Sequence, residues 1–109
     1  MIKIEHFEEL ASTQEYVKSK WSEGQNLIVT ADRQTSGRGT KGRSFSSNEG
    51  GVYVSKLTFY DNFPTKDAFK IMAGSAVAVC ETLRAYGIWA CIKWPNDIYE
   101  KGKKICGIL

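Results

Sequence analysis

Two stretches of this chain concentrate residue types that can do chemistry. The first, Gly37 to Ser44 (GRGTKGRS), fits two phosphate-binding patterns together: Gly37, Gly39 and Gly42 spell G-x-G-x-x-G, and the whole stretch reads as a P-loop with Arg43 in the lysine position. Both patterns work by opening a helix directly after the glycines, so that its amides and dipole meet the phosphates. Here FSSNEGGVYV follows, with paired glycines and then a strand pattern, and neither reading holds. What remains is a loop whose glycines allow close backbone approach. Its Arg38, Lys41 and Arg43 offer fixed charge and several donors to an anion. The competing reading is a solvated surface loop or a loose RNA-binding segment.

The second stretch is KWPNDIYEKGKKICGIL, Lys93 to Leu109. Pro95 restricts Trp94 to extended geometry, so Lys93 and Trp94 leave their strand in a fixed direction, with Asn96 and Asp97 on a turn. An aspartate between Lys93 and the Lys103–Lys104 pair could ligate Mg²⁺ or accept from a ribose hydroxyl. It could equally belong to a turn-forming Asn-Asp pair with a surface ion pair of little energetic weight. Spacing alone leaves both open.

These residues need a frame. Ile2 to Phe7 alternates apolar and polar residues as a strand does. STQE then forms a capping box, with Ser12 as N-cap and Glu15 three residues on, opening a helix that carries Tyr16, Val17 and Trp21 to one side and stops near Gly24. Leu27 to Ala31 is a short β-branched strand, and Asp32 to Gly51 is too polar and glycine-rich to bury much, hence loop. Val52 to Phe59 resumes a period of two, and a turn at Asn62 to Thr65 contains Pro64. From Lys66 to Tyr86, the residues Phe69, Met72, Ala73, Ala76, Val77, Cys80 and Leu83 recur at helical steps, and Gly87 ends the helix. Ile88 to Trp94 reads as a strand stopped by Pro95, and DIY-EKGK-KICGIL as a hairpin centred on Gly102. The expected class is α+β, a mixed and largely antiparallel sheet with two helices.

Composition narrows the function classes. The chain has 109 residues, 42% hydrophobic and 25% charged, which is ordinary for one globular domain. No apolar run reaches the roughly 18–20 residues that span a bilayer. The acidic N-terminus MIKIEHFEEL is unlike a signal peptide. Three cysteines without a C-x-x-C pair argue against a disulfide framework or zinc knuckle and suit a reducing cytoplasm. One histidine, His6, leaves little for nucleophilic catalysis. A net charge of +3 does not by itself imply nucleic acid. An Arg/Gly-loop nucleic-acid module would also want stacking aromatics, and beside the loop only Phe45 and Tyr53 are at hand.

The motifs become specific when read in order. STQ (Ser12 to Gln14), ADRQTSGRGTKGR (Ala31 to Arg43), GGVYVS (Gly50 to Ser55), KWPNDI (Lys93 to Ile98) and GKKICGIL (Gly102 to Leu109) follow one another as they do in the biotin–protein ligase family, which this sequence resembles over nearly all its length. Lipoate ligases share the fold and a downstream Asn-Asp and Lys-x-x-Gly pattern. They typically carry an Arg-Arg-x-Gly-Gly-Gly stretch, absent here, and lack the Trp-Pro. The resemblance implies that residues 1–109 are the N-terminal portion of a catalytic domain related in fold to class II aminoacyl-tRNA synthetases. The chain stops inside an apolar strand, which fits that expectation.

The resemblance further implies ATP-dependent activation of biotin to biotinyl-5′-AMP, then transfer to one lysine of the carboxyl-carrier domain of a biotin-dependent carboxylase, in the cytoplasm. Substrates would be biotin and ATP with Mg²⁺. By matching positions, Ser12, Thr13 and Gln14 are expected at the biotin end, with Gln34 and the Gly37–Arg38–Gly39–Thr40 segment closing over biotin and its carboxylate. Lys104, with Arg38, is the expected catalytic cation, and Gly107 lets its strand pass close to biotin. Lys41, Arg43, Lys93, Trp94, Asn96 and Asp97 are expected on the ATP side, Asp97 also as the Mg²⁺ ligand. Many relatives have arginine at the position of Thr40, so looser adenylate retention is expected here. The family's later Gly-x-Gly-x-Asn segment and C-terminal β-domain would lie beyond Leu109. Too few residues precede STQ for a helix-turn-helix domain, so no DNA partner is expected.

Overall fold

The computed structural model describes all of residues 1–109, in two compact units, Met1–Asp61 and Asn62–Leu109. In the first, β1 (Lys3–Leu10), α1 (Thr13–Ser19), β2 (Leu27–Gln34) and β3 (Tyr53–Leu57) form a three-stranded sheet of order β1-β2-β3 with one helix on it. β1 and β2 are parallel, as a strand–helix–strand crossover requires, and β2 and β3 are antiparallel. The helix-facing side of β2 carries Leu27, Val29 and Ala31, all buried. Leu27 and Val29 form a core with Val17 of α1, against which Phe7, Leu10, Tyr16 and Leu57 pack. Burying Val29 completely contributes about 1.5–3 kcal/mol.

The first strands run further than expected. β1 continues past Phe7 and β2 past Ala31 because Glu9 and Leu10 pair with Arg33 and Gln34 in the ladder. The Arg33 guanidinium also donates to Glu9 at 3.0 Å. Tyr16 stacks tilted on Phe7, centroids 5.0 Å apart, and its hydroxyl donates to Glu5 at 2.6 Å. That hydrogen bond, then the one from Lys3, holds the Glu5 carboxyl below the usual carboxylate range. Trp21 lies beyond α1, in a 3₁₀ turn that Gly24 (φ 66°) ends; it is exposed, and its ring meets Phe59 at 5.1 Å.

In the second unit, α2 (Ala68–Ala85) lies with an antiparallel sheet of β4 (Cys91–Lys93), β5 (Asp97–Glu100) and β6 (Lys103–Gly107). Cys80 of α2, Ala90 and Ile98 are its buried centre, with Val79, Leu83, Cys106 and Ile108 around them. Of the expected stripe, Ala76 and Cys80 are buried, whereas Phe69 (58%) and Val77 (46%) are exposed. Gly87 (φ 82°) ends α2 as expected: its N–H reaches the Arg84 carbonyl and that of Ile88 the Leu83 carbonyl.

This helix end shortens the next strand. Ile88 to Ala90 were expected in β4, but the Ile88 N–H belongs to the helix cap and the Ala90 carbonyl accepts both Arg84 Nε and Nη2. Only Cys91–Lys93 are left for the ladder. The β5–β6 turn has positive φ at Lys101 (49°) and Gly102 (76°), the type I′ geometry that suits a two-residue hairpin. All three cysteines are free, and burial pushes the Cys106 thiol up. No helix is long and apolar enough to cross a membrane.

Candidate functional site

The site residues of the first unit gather where α1 begins and β2 ends. Ser12 is buried and caps α1, its hydroxyl accepting the Glu15 N–H at 3.3 Å. The capping box is only half closed, because the Glu15 carboxylate reaches Lys18 and, at 3.5 Å, the Nε of Arg38. The Thr13 N–H donates to Gln34 Oε1 at 2.7 Å, and its hydroxyl shares a hydrogen bond with Ser55 at 2.8 Å. Gln34 Nε2 donates in turn to Ser47 Oγ at 2.9 Å. Gln14, half-buried, lies in the first turn of α1.

Beyond Gln34 the chain does more than loop through solvent. It folds into a tongue whose outgoing and returning limbs pair: Phe45 N–H to the Gly37 carbonyl at 2.8 Å, Gly39 N–H to the Arg43 carbonyl at 2.8 Å, and a bridge between Arg38 and Ser44. A turn at Thr40–Gly42 forms the tip, with Lys41 (φ 56°) and Gly42 (φ 73°) left-handed. Gly37 and Ser47 are buried at the base, contrary to the expectation that this stretch buries little. A Cβ on Gly37 would lie 2.3 Å from both the Phe45 carbonyl oxygen and Ser47 Oγ, so no other residue fits. Arg38, Lys41 and Arg43 are exposed, and Gln34, Ser36, Gly37, Phe45 and Ser47 line an open pocket of about 330 Å³ at the base.

In the second unit Lys93, Asp97 and Lys104 share one face of the sheet. The register sets Lys93 opposite Asp97, Cys91 opposite Tyr99 and Asp97 opposite Gly107. Regular pairing would then bring Lys104 opposite Glu100, on the face packed against α2. A shift between Ile98 and Tyr99 brings it opposite Tyr99 instead, leaving Ile105 as the extra residue of a β-bulge. Lys104 thereby joins Asp97: Nζ to Oδ1 is 2.9 Å. The pair is partly exposed and worth at most about 1 kcal/mol to stability. Its effect is to orient the ammonium. A Cβ on Gly107 would come within 3.3 Å of Lys104 Cε and 3.4 Å of Nζ, so the glycine leaves room for that side chain.

Around this pair, the Lys93 ammonium stands over the Tyr99 ring, 5.3 Å from its centroid. Asn96 clamps the end of the chain, its carbonyl accepting the Ile108 N–H at 2.9 Å and its Nδ2 donating to the Ile108 carbonyl at 3.1 Å. Trp94, joined to Pro95 by a cis peptide, is 66% exposed. Sequence reasoning did not single out Ser47, Ser55 or Tyr99. The signal for Ser55 was there, a serine on the inward-facing phase of YVSKL; nothing distinguishes Ser47 within FSSN.

A family model, the biotin/lipoate A/B protein ligase family, matches residues 7–109 of this chain. The chain belongs to that family. Within it, the Bacillus subtilis (strain 168) bifunctional ligase/repressor BirA is 42% identical over 87 residues, covering 78% of this chain and 26% of that protein. Escherichia coli (strain K12) BirA is 33% identical over 81 residues, 72% of this chain and 25% of its own length. Among solved structures, the Aquifex aeolicus biotin protein ligase in complex with biotin and ATP is 36% identical with a TM-score of 0.81, covering 98% of this chain and 45% of that one. The Leishmania major enzyme in complex with biotinyl-5-AMP is 27% identical with a TM-score of 0.79, covering 98% and 51%. The mixed α+β fold is thus that of the biotin ligases, and this member of the family spans about half of their solved chains and about a quarter of the curated relatives.

Proposed function

We propose that the protein activates biotin with ATP to biotinyl-5′-AMP and passes the biotinyl group to a lysine of a carboxyl-carrier domain. The observation that carries this reading is the Lys104 ammonium, oriented by Asp97 at 2.9 Å and given room by Gly107. It supports the first step, in which the biotin carboxylate attacks the α-phosphorus and pyrophosphate leaves. Two anions meet there, so a fixed cation that neutralises the developing charge speeds the reaction, and no covalent nucleophile is needed. In the second step the acceptor lysine amine attacks the acyl carbon and AMP leaves.

The remaining roles follow the family pattern. Ser12, Thr13, Gln14, Gln34 and the Gly37–Thr40 segment serve biotin, with Arg38 on its carboxylate. Lys41, Arg43, Lys93, Trp94, Asn96 and Asp97 serve ATP. No cluster of three His, Cys, Asp or Glu side chains is present, so a dedicated metal cage is lacking. One carboxylate, Asp97, beside the nucleotide's own phosphates suits Mg²⁺, which would arrive on ATP. Three free cysteines suit a cytoplasmic setting.

The test is mass-spectrometric detection of acyl-adenylate after mixing the chain with Mg²⁺-ATP and either biotin or lipoate. Biotinyl-AMP alone is expected, and Lys104→Met should lower its rate of formation by about 10²–10³-fold. Lipoyl-AMP as the preferred product, or a Lys104→Met rate equal to the parent's, would overturn the assignment.

A further inference from the structure

Ser47 has no role in the reading above, yet it is 4% exposed in the most polar stretch of the chain. A hydroxyl buried there without partners would cost about 1–3 kcal/mol, and Ser47 is fully partnered. Its Oγ accepts from Gln34 Nε2 at 2.9 Å and donates to the Phe45 carbonyl at 3.0 Å, while its backbone carbonyl accepts the Gln34 N–H at 3.0 Å. Gln34 holds the start of α1 through the Thr13 N–H, and Phe45 holds Gly37 through its own N–H. The hydroxyl therefore closes a continuous path from Thr13 at the head of α1, through Gln34, to the base of the tongue. The tip at Thr40–Gly42 is exposed, so this base, with the Glu15–Arg38 ion pair at 3.5 Å and the Arg38–Ser44 bridge, is what gives Arg38 and its neighbours a defined position.

We propose that Ser47 is a positioning residue for biotin capture, bracing the tongue so that Arg38 to Thr40 present to the ligand without a large ordering cost. This rests on the proposed biotin-activating function. Binding that must first order a segment loses affinity to that ordering, so the brace acts most on biotin and reaches ATP only through Lys41 and Arg43, leaving the ATP-side groups of the second unit untouched.

The test compares the parent with Ser47→Ala and Ser47→Cys by calorimetric titration with biotin and, separately, Mg²⁺-ATP. The rate of trypsin cleavage after Arg38, Lys41 and Arg43 in the unliganded proteins is measured alongside. Ser47→Ala is expected to bind biotin about 10-fold more weakly, the equivalent of about 1.4 kcal/mol. ATP binding, which Lys41 and Arg43 of the tongue share with the second unit, should weaken less than biotin binding, by no more than about 3-fold, and tongue cleavage should be several-fold faster. Ser47→Cys, which keeps the shape and a weak donor and acceptor, should fall between. Unchanged biotin affinity in Ser47→Ala overturns the proposal, as does an equal loss for biotin and ATP, which a general loss of fold would give. If the parent binds no biotin, the functional reading fails by itself. The cleavage rates then decide the brace, faster cleavage in Ser47→Ala sustaining it and an unchanged rate overturning it.

Discussion

Replacing Gly37 with alanine should dislodge the tongue, while the same change two residues on, at Gly39, should be nearly silent. At Gly37 the new methyl would sit 2.3 Å from the Phe45 carbonyl oxygen, 2.3 Å from Ser47 Oγ and 3.1 Å from Gln34 Nε2. Carbon and oxygen approach comfortably only to roughly 3.3–3.6 Å, so the returning limb must withdraw by about 1 Å. Two hydrogen bonds then go, Phe45 N–H to Gly37 and Gln34 Nε2 to Ser47. At about 0.5–1.5 kcal/mol each, plus the cost of a half-buried amide left short of a partner, the loss is about 2–4 kcal/mol. At Gly39 the nearest atoms are Arg43 Cβ at 3.5 Å and its carbonyl oxygen at 3.6 Å, and the backbone is extended (φ −107°, ψ −173°). Alanine there should cost no more than about 0.5 kcal/mol. Urea denaturation followed by far-UV circular dichroism reads the difference. With a slope of about 2 kcal/mol/M, mid-range for a small protein, the midpoint of Gly37→Ala should fall by about 1–2 M and that of Gly39→Ala should barely move. Equal midpoints for the two variants would refute the account of the tongue's base.

Two further outcomes are expected. Deleting Ile105 removes the extra residue of the bulge and leaves Lys104 opposite Tyr99, so acyl-adenylate formation should stay within about 10-fold of the parent; inserting one alanine after Ile105 with the bulge retained puts Lys104 opposite Glu100 on the other face and should cost about 10²–10³-fold. Equal rates for the two variants would discard the parity argument. The acid limb of stability should depend on Tyr16. Its hydrogen bond is the main cause of the lowered Glu5 pKa, so the stabilisation is present above the ordinary glutamate range and fades as pH falls through the lowered value. In Tyr16→Phe the Glu5 titration, followed by NMR, should move back up; an unmoved titration would show that Lys3 alone sets it.

The sequence was most legible where one residue type has one structural use. Gly87 and Gly102 mark a helix end and a hairpin turn with the φ values those places need, and the period of Lys66 to Tyr86 contains a real helix. Strand ends were less legible, because they depend on partners distant in sequence. Gln34 is strand because Leu10 pairs with it, and Ile88 is not strand because Leu83 takes its N–H. The site residues were named by motif order, but their arrangement was out of reach. No local pattern says that Ile105 bulges out of register, yet that irregularity decides which face Lys104 occupies. Nor does FSSN reveal that one of its serines is buried under the tongue.

The division of the chain at Asp61 and Asn62 has a consequence for its biosynthesis. Every strand pairing of the first sheet, and the path from Thr13 through Gln34 to Ser47, closes within residues that leave the ribosome first. The second unit takes roughly 2–10 s more to synthesise at the usual rate of elongation. Strand pairing and loop closure take about a microsecond to tens of microseconds, so the tongue has time to fold on the nascent chain. Its arginines are then in place before Lys104 has been translated.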